Sequence, residues 1–238
     1  MEQIKKLKKL GVIGGMGPKA SSLYYDSVID HTKADKDQEH IEMVLISHST
    51  MPDRTEAILT GESDELIKLL RDDAKTLESL GADNIAVTCN TSHYYYRQMQ
   101  EAVQIPIINM VSESIRYAVD SFKNVKRIGI MATDGTVNSH IYHDACAEAG
   151  ITPEDLSEER QKGVMSLIYD DIKGGLPADE AKFNEAIAEF KEKKCDVVIL
   201  ACTELSVYKE THETPNFCLD AMEVLVRESI LRSGAEYQ

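Results

Sequence analysis

Two cysteines, Cys89 and Cys202, end two similar stretches of this chain: Val87-Thr88-Cys89-Asn90-Thr91-Ser92-His93 and Leu200-Ala201-Cys202-Thr203-Glu204. Each stretch is an apolar run that stops on the thiol and continues in small polar residues. A buried parallel strand delivers a side chain to a cleft in this way. Two thiols brought to one site can work as a coupled acid and base, one ionised and the other protonated. A single cysteine would read as core, since cysteine is among the most often buried residue types; the echo and the polar followers favour chemistry for these two. Cys146, Cys195 and Cys218 lack such followers and read as structural. Cys89 and His93 stand four apart but have no second Cys/His pair at zinc spacing, so no metal is expected, and His93 reads as a helix-start residue near the cleft. The Tyr94-Tyr95-Tyr96 run reads as packing.

The elements that position these residues follow from periodicity. Residues 9–14 form a short strand that runs into the turn Gly14-Gly15-Met16-Gly17, and Pro18 suits the first turn of a helix over 18–32. After a polar loop at 33–40, a strand at 41–47 empties into His48-Ser49-Thr50-Met51-Pro52-Asp53-Arg54. Leucines at 66, 69, 70, 77 and 80 predict a helix over 63–80 that stops at Gly81. A strand at 84–88 reaches Cys89, a helix runs through 94–103, and a fourth strand lies at 105–109. The plan then repeats. Residues 127–136 resemble the opening strand and turn, helices are predicted at 137–149, 162–173 and 178–193, strands at 197–201 and 217–219, and a closing helix at 221–232. The interval from Gly11 to Cys89 is close to that from Gly129 to Cys202.

The expected fold is therefore α/β: two pseudo-symmetric domains, each a small parallel sheet flanked by helices. The predicted division is 1–110 plus 221–238 for the first and 111–220 for the second. Ligands of open parallel sheets collect at the carboxyl ends of the strands, so the candidate active site is the cleft between the domains, with both cysteines in it. A helix starting after each cysteine is expected to favour the thiolate.

Composition limits the alternatives. A formal net charge of -15 over 238 residues argues against nucleic acid and anionic membranes as partners, because both need clustered Lys and Arg. The basic start at residues 1–9 is too polar for a signal peptide, and no run approaches a membrane span of about 20 apolar residues. Five cysteines without an export signal read as reduced thiols in a cytoplasmic protein. Gly-Gly-Met-Gly lacks both the dinucleotide and the phosphate-loop patterns.

Gly14-Gly15-Met16-Gly17-Pro18, Pro52-Asp53-Arg54-Thr55, Cys89-Asn90-Thr91-Ser92-His93, Ile168-Tyr169-Asp170-Asp171-Ile172-Lys173-Gly174 and Cys202-Thr203-Glu204, in this order, resemble the aspartate/glutamate racemase family, the cofactor-independent amino-acid racemases. The resemblance implies two pseudo-symmetric α/β domains, commonly in a homodimer, with Cys89 and Cys202 exchanging the roles of base and acid and with no cofactor. It makes Arg54 and Lys173 candidates for binding a side-chain carboxylate, and puts Met16, Thr50, Asn90, Thr91, Thr133 and Thr203 around the amino-acid pocket. Ser92 stands where alanine is common, and the His48-Ser49-Thr50 loop leaves substrate choice open. The function implied is racemisation of an acidic amino acid, L-aspartate to D-aspartate. Glutamate or a broader substrate range is the alternative, and so are a non-catalytic module binding an acidic amino acid and a cis-trans isomerase or decarboxylase on the same fold.

Overall fold

Leu10–Gly14 (β1) is an unbroken run of small and apolar residues, all five buried. The computed structural model describes residues 6–238, so the basic start at 1–9 lies in part outside the described residues. After β1 come Pro18–His31 (α1), Met43–Ser47 (β2), Arg54–Thr60 (α2), Asp64–Ser79 (α3) and Asn84–Val87 (β3). A 3-10 turn at Thr91–Tyr95 leads into Tyr96–Gln100 (α4), and Met110–Ser121 (α5) follows. The second half has Arg127–Ala132 (β4), Asp134–Asn138 (α6), Ile141–Glu148 (α7), Thr152–Glu154 (β5) and Glu158–Ser166 (α8), the last running into a π-helical turn at Leu167–Lys173. Glu180–Glu192 (α9), Val197–Ala201 (β6), Thr203–Lys209 (α10), Cys218–Asp220 (β7) and Ala221–Arg232 (α11) complete it. Two parallel sheets result, ordered β2-β1-β3 and β5-β4-β6-β7, and in each the opening strand of its half lies between the next two.

Successive strand residues point to opposite faces, and the apolar clusters divide accordingly. Val12 and Ala86 of the first sheet share one cluster with Ile130 and Ile199 of the second, and with α5, α7 and α11. Ile13, Ile85 and Val87 face the other way, onto Leu66, Leu70 and Leu77 of α3. Met131, Val198 and Leu200 likewise pack against Phe183 and Phe190 of α9. The two sheets are thus joined by a common core while each has its own outer helical layer. Burying one of these leucines contributes about 1.5–3 kcal/mol.

Several expectations change. Residues 105–109 form no strand: only an isolated parallel bridge joins Ile85 to Ile107. Both hydrogen bonds of that bridge are made, Ile85 N–H to Pro106 O and Ile108 N–H to Ile85 O, but Pro106 has no N–H to extend it on one side, and on the other Met110 N–H goes to His93 Nε2 as α5 begins. The region after it is a helix that periodicity should have found: Asn109 caps α5 through Val111 N–H and Ser112 N–H, and Met110, Val111, Ile115 and Ala118 are buried. The helix expected at 137–149 is split into α6 and α7 at His140, whose φ of 57° is left-handed. The short edge strand β5 was not anticipated.

Asp220 caps α11 by accepting from Met222 N–H and is 2% exposed. Burial and nearby Glu223 push its carboxyl up to about 6, against hydrogen bonds from Ser206 and Met222 that favour the charged form. Because its folded-state pKa lies above the unfolded one, this group favours the fold at low pH, and that contribution is lost as pH rises through about 6. Asp220→Asn keeps an acceptor for the cap, so it should gain stability over the parent chain as pH rises from 4 to 7, by up to about 3 kcal/mol. Thermal unfolding across that range checks it; a pH-independent difference would contradict the assignment.

Candidate functional site

The carboxyl ends of β1, β3, β4 and β6 converge on one cleft. At β1 the chain turns through Gly15, whose φ is 90°, and a Cβ there would lie 2.4 Å from the backbone nitrogen of His48, so only glycine fits. The turn places Met16 in the cleft wall, where its sulfur accepts a hydrogen bond from Ser92 Oγ. Across the cleft, Gly135 of α6 lies against Thr55 of α2, so close that a Cβ on the glycine would stand 2.7 Å from Thr55 Cα. This contact holds the two halves close together.

Cys89 and Cys202 both line the cleft, each 6% exposed. The Cys202 thiol donates to Glu204 Oε2 at 3.0 Å. Burial first, then the Glu204 carboxylate, push this thiol well above its ordinary pKa, and the Lys173 ammonium only partly opposes them. The thiolate-favouring effect expected of a helix start is overridden at Cys202, where desolvation and a neighbouring anion outweigh the partial charge of a short helix. Among the other cysteines, Cys146 is wholly buried in α7 and burial pushes it up to about 12.

Two cations face this pair. Arg54 opens α2, is 9% exposed and donates to Pro52 O; its Nε is buried without a partner. Burial would lower its pKa, but the Cys89 sulfur and Asp53 beside it hold it above the ordinary value. Lys173, at the end of the π-helical turn, lies 3.7 Å from Glu204 Oε1 and 4.4 Å from the centre of the Tyr169 ring. Glu204 and both cysteines raise its pKa against the opposing effect of burial. Such turns recur at functional sites, where the extra residue re-aims a side chain. Tyr169, pushed up to about 12 by burial, donates to Asp53 and Thr55 across the cleft at 3.1 Å each.

The Thr91 hydroxyl joins the two halves by contacts with the hydroxyls of Thr133 at 3.0 Å and Thr136 at 2.9 Å. His93 is not at the cleft. Its Nδ1–H donates to Cys89 O at 2.8 Å and its Nε2 accepts from Met110 N–H at 3.2 Å, so both nitrogens are engaged in holding the backbone behind Cys89. Burial lowers its pKa, in keeping with the neutral ring those bonds require.

Of the anticipated residues, Met16, Arg54, Cys89, Asn90, Thr91, Thr133, Lys173, Cys202 and Thr203 line the cleft. Thr50 does not: it is exposed in the turn after β2, and its neighbour Met51 takes the inward position, 5% exposed. Thr55, Tyr169 and Glu204 also line the cleft and were not singled out, although all three lie inside the recognised motifs. A polar residue two places after a strand-end cysteine was the available signal for Glu204. The space left for the centre of a water molecule is about 10 Å³, room for roughly one water. Among the described residues no group of three His, Cys, Asp or Glu side chains could hold a metal ion, and no helix is long and apolar enough to cross a membrane.

The pattern of the Asp/Glu/Hydantoin racemase family matches residues 13–229. The broad-specificity amino-acid racemase RacX of Bacillus subtilis (strain 168) is 26% identical over 227 residues, covering 93% of this chain and 96% of that protein. A glutamate racemase of Aquifex aeolicus is 28% identical over 153 residues, covering 64% of this chain and 57% of its own length. Among solved structures, the Picrophilus torridus aspartate racemase superimposes with a TM-score of 0.80 at 27% identity, over 97% of this chain and 96% of that one.

Proposed function

This chain belongs to the Asp/Glu/Hydantoin racemase family, and we propose that it racemises aspartate without a cofactor, using Cys89 and Cys202 as opposed acid and base. The observation that carries this reading is the pair of buried thiols at the ends of β3 and β6, lining one closed cleft with Arg54 and Lys173. Racemisation takes the α-proton from one face of carbon and returns a proton to the other. Cys202, whose thiol donates to Glu204, is assigned as the acid in one direction, and the base opposite it is Cys89. It takes the α-proton, the electron pair passes into the α-carboxylate, and Cys202 S–H delivers a proton to the opposite face. Cys89 is then the thiol and Cys202 the thiolate, ready for the reverse enantiomer.

No electron sink is invoked, so the developing charge on the α-carboxylate must be met by fixed donors in a site closed from water. Asn90, Thr91, Thr133 and Thr203 serve that end of the substrate. Arg54 takes the side-chain carboxylate, which its guanidinium can bind through two nitrogens; its buried Nε still lacks an acceptor. Aspartate and glutamate differ by one methylene, which is worth only about 1–3 kcal/mol in a pocket. A broader range is favoured by one observation: Lys173 already faces Glu204, so it is not free to select an acidic side chain. Homodimerisation belongs to this reading and rests on the resemblance, and a cytoplasmic location rests on the cysteine usage.

With no cofactor added, L- and D-aspartate in D₂O should each lose the α-proton NMR signal, and the optical activity of each should decay to zero. Glutamate and alanine run in parallel measure the substrate range. If neither acidic amino acid exchanges or loses optical activity, the proposal falls.

A further inference from the structure

Asn90 follows Cys89 directly and is 2% exposed in the cleft wall, yet its side-chain nitrogen is buried without a hydrogen-bond partner. Leaving such a donor unmade costs about 1–3 kcal/mol, so a group of this kind in a cleft wall points to an acceptor that arrives with a ligand. The other end of the carboxamide is tied. Tyr142, on α7 in the second half of the chain, donates its O–H to Asn90 Oδ1 at 2.6 Å. Tyr142 is itself wholly buried in the core shared by the two sheets and is not part of the cleft wall.

The two ends of a carboxamide have nearly the same shape, and only the surrounding hydrogen bonds decide which one points where. The Tyr142 hydroxyl occupies Oδ1, so the nitrogen is the end left for the cleft. A rotated amide would present its oxygen to an incoming carboxylate, replacing attraction with repulsion. We propose that Tyr142 is a positioning residue that locks the Asn90 carboxamide with Nδ2 toward the cleft, as a fixed donor to the substrate α-carboxylate. The lock itself is a property of the protein alone; its effect on turnover rests on the racemase reading above.

Tyr142→Phe removes the hydroxyl and keeps the ring. Without substrate, the Asn90 side-chain ¹H–¹⁵N pair, assigned by its absence in Asn90→Ala, should shift in Tyr142→Phe, and exchange between its two protons should accelerate. With aspartate, kcat should fall about tenfold with little change in KM. Adding Tyr142→Phe to Asn90→Ala should cost nothing further, because the residue it positions is gone. Unmoved Asn90 resonances overturn the lock whether or not the protein turns over aspartate. An equal loss of activity in both backgrounds overturns the catalytic part, since it would mean that Tyr142 acts through the fold and not through Asn90.

Discussion

Cys202→Ala is expected to abolish the interconversion of D- and L-aspartate while leaving α-hydrogen exchange of one enantiomer, and Cys89→Ala is expected to spare the other enantiomer instead. The reasoning is geometric. The two thiols come from different sheets and line the same cleft, so each is proposed to serve one face of the α-carbon. A chain that keeps one thiol can still remove a proton from its own face, but it can return a proton only to that face. Exchange then proceeds with retention and optical activity persists. Loss of one general acid or base costs about 10²–10⁴-fold, and interconversion, which needs both, should fall by at least about 10³-fold. NMR of the α-proton in D₂O and polarimetry of the same samples separate the two outcomes. If either variant interconverts the enantiomers at a rate near the parent chain's, a single base crosses between faces and the paired mechanism is wrong.

The strand-end residues were the part of the site most open to reading from sequence, because an apolar run followed by small polar residues marks the end of a buried strand whatever packs around it. Cys89, Asn90, Thr91, Thr133, Cys202 and Thr203 were found in this way and line one cleft. Thr50, placed near the pocket by the resemblance, is exposed at a turn, where backbone geometry decides which side chain goes in, and Met51 packs into the core instead. The supposed strand at 105–109 failed for a different reason. Its β-branched and apolar residues are suited to a strand, but Pro106 lacks the N–H that would extend the bridge to Ile85 and the helix α5 starts at Met110, so the pairing stops after one bridge. Tyr169 and Tyr142 lie on helical segments whose tertiary placement no local pattern predicts. One bridges the cleft to Asp53 and the other reaches Asn90 from the opposite half. The repeat itself was legible, since both halves place their opening strand between the two that follow.

Glu204 is the residue with the most to tell about how the cysteine pair keeps its protons. Its carboxylate accepts from the Cys202 thiol through Oε2 and faces Lys173 through Oε1, and it is 4% exposed. Gly17 leaves room for it: a Cβ on that glycine would stand 3.2 Å from Glu204 Oε1. After burial, this carboxylate is the main influence that keeps Cys202 protonated, and it is also the main one that raises Lys173. Glu204→Gln keeps the shape and removes the charge. The Cys202 pKa should then fall, because one of the two chief causes raising it is gone, and an amide N–H in the same place would stabilise the thiolate further. Less Cys202 would carry a proton at a given alkaline pH. The direction that draws its proton from Cys202 should therefore lose about tenfold in kcat/KM on the alkaline side, where its basic limb moves to lower pH. The opposite direction, in which Cys202 must be ionised, should suffer less. Alkylation of Cys202 by iodoacetamide, followed against pH by peptide mass analysis, reads the same shift without turnover, because the thiolate is the reacting form. Superimposable pH profiles for the parent chain and Glu204→Gln, in both rate and alkylation, would show that Glu204 is a structural partner of Lys173 and not the group that holds the proton on Cys202.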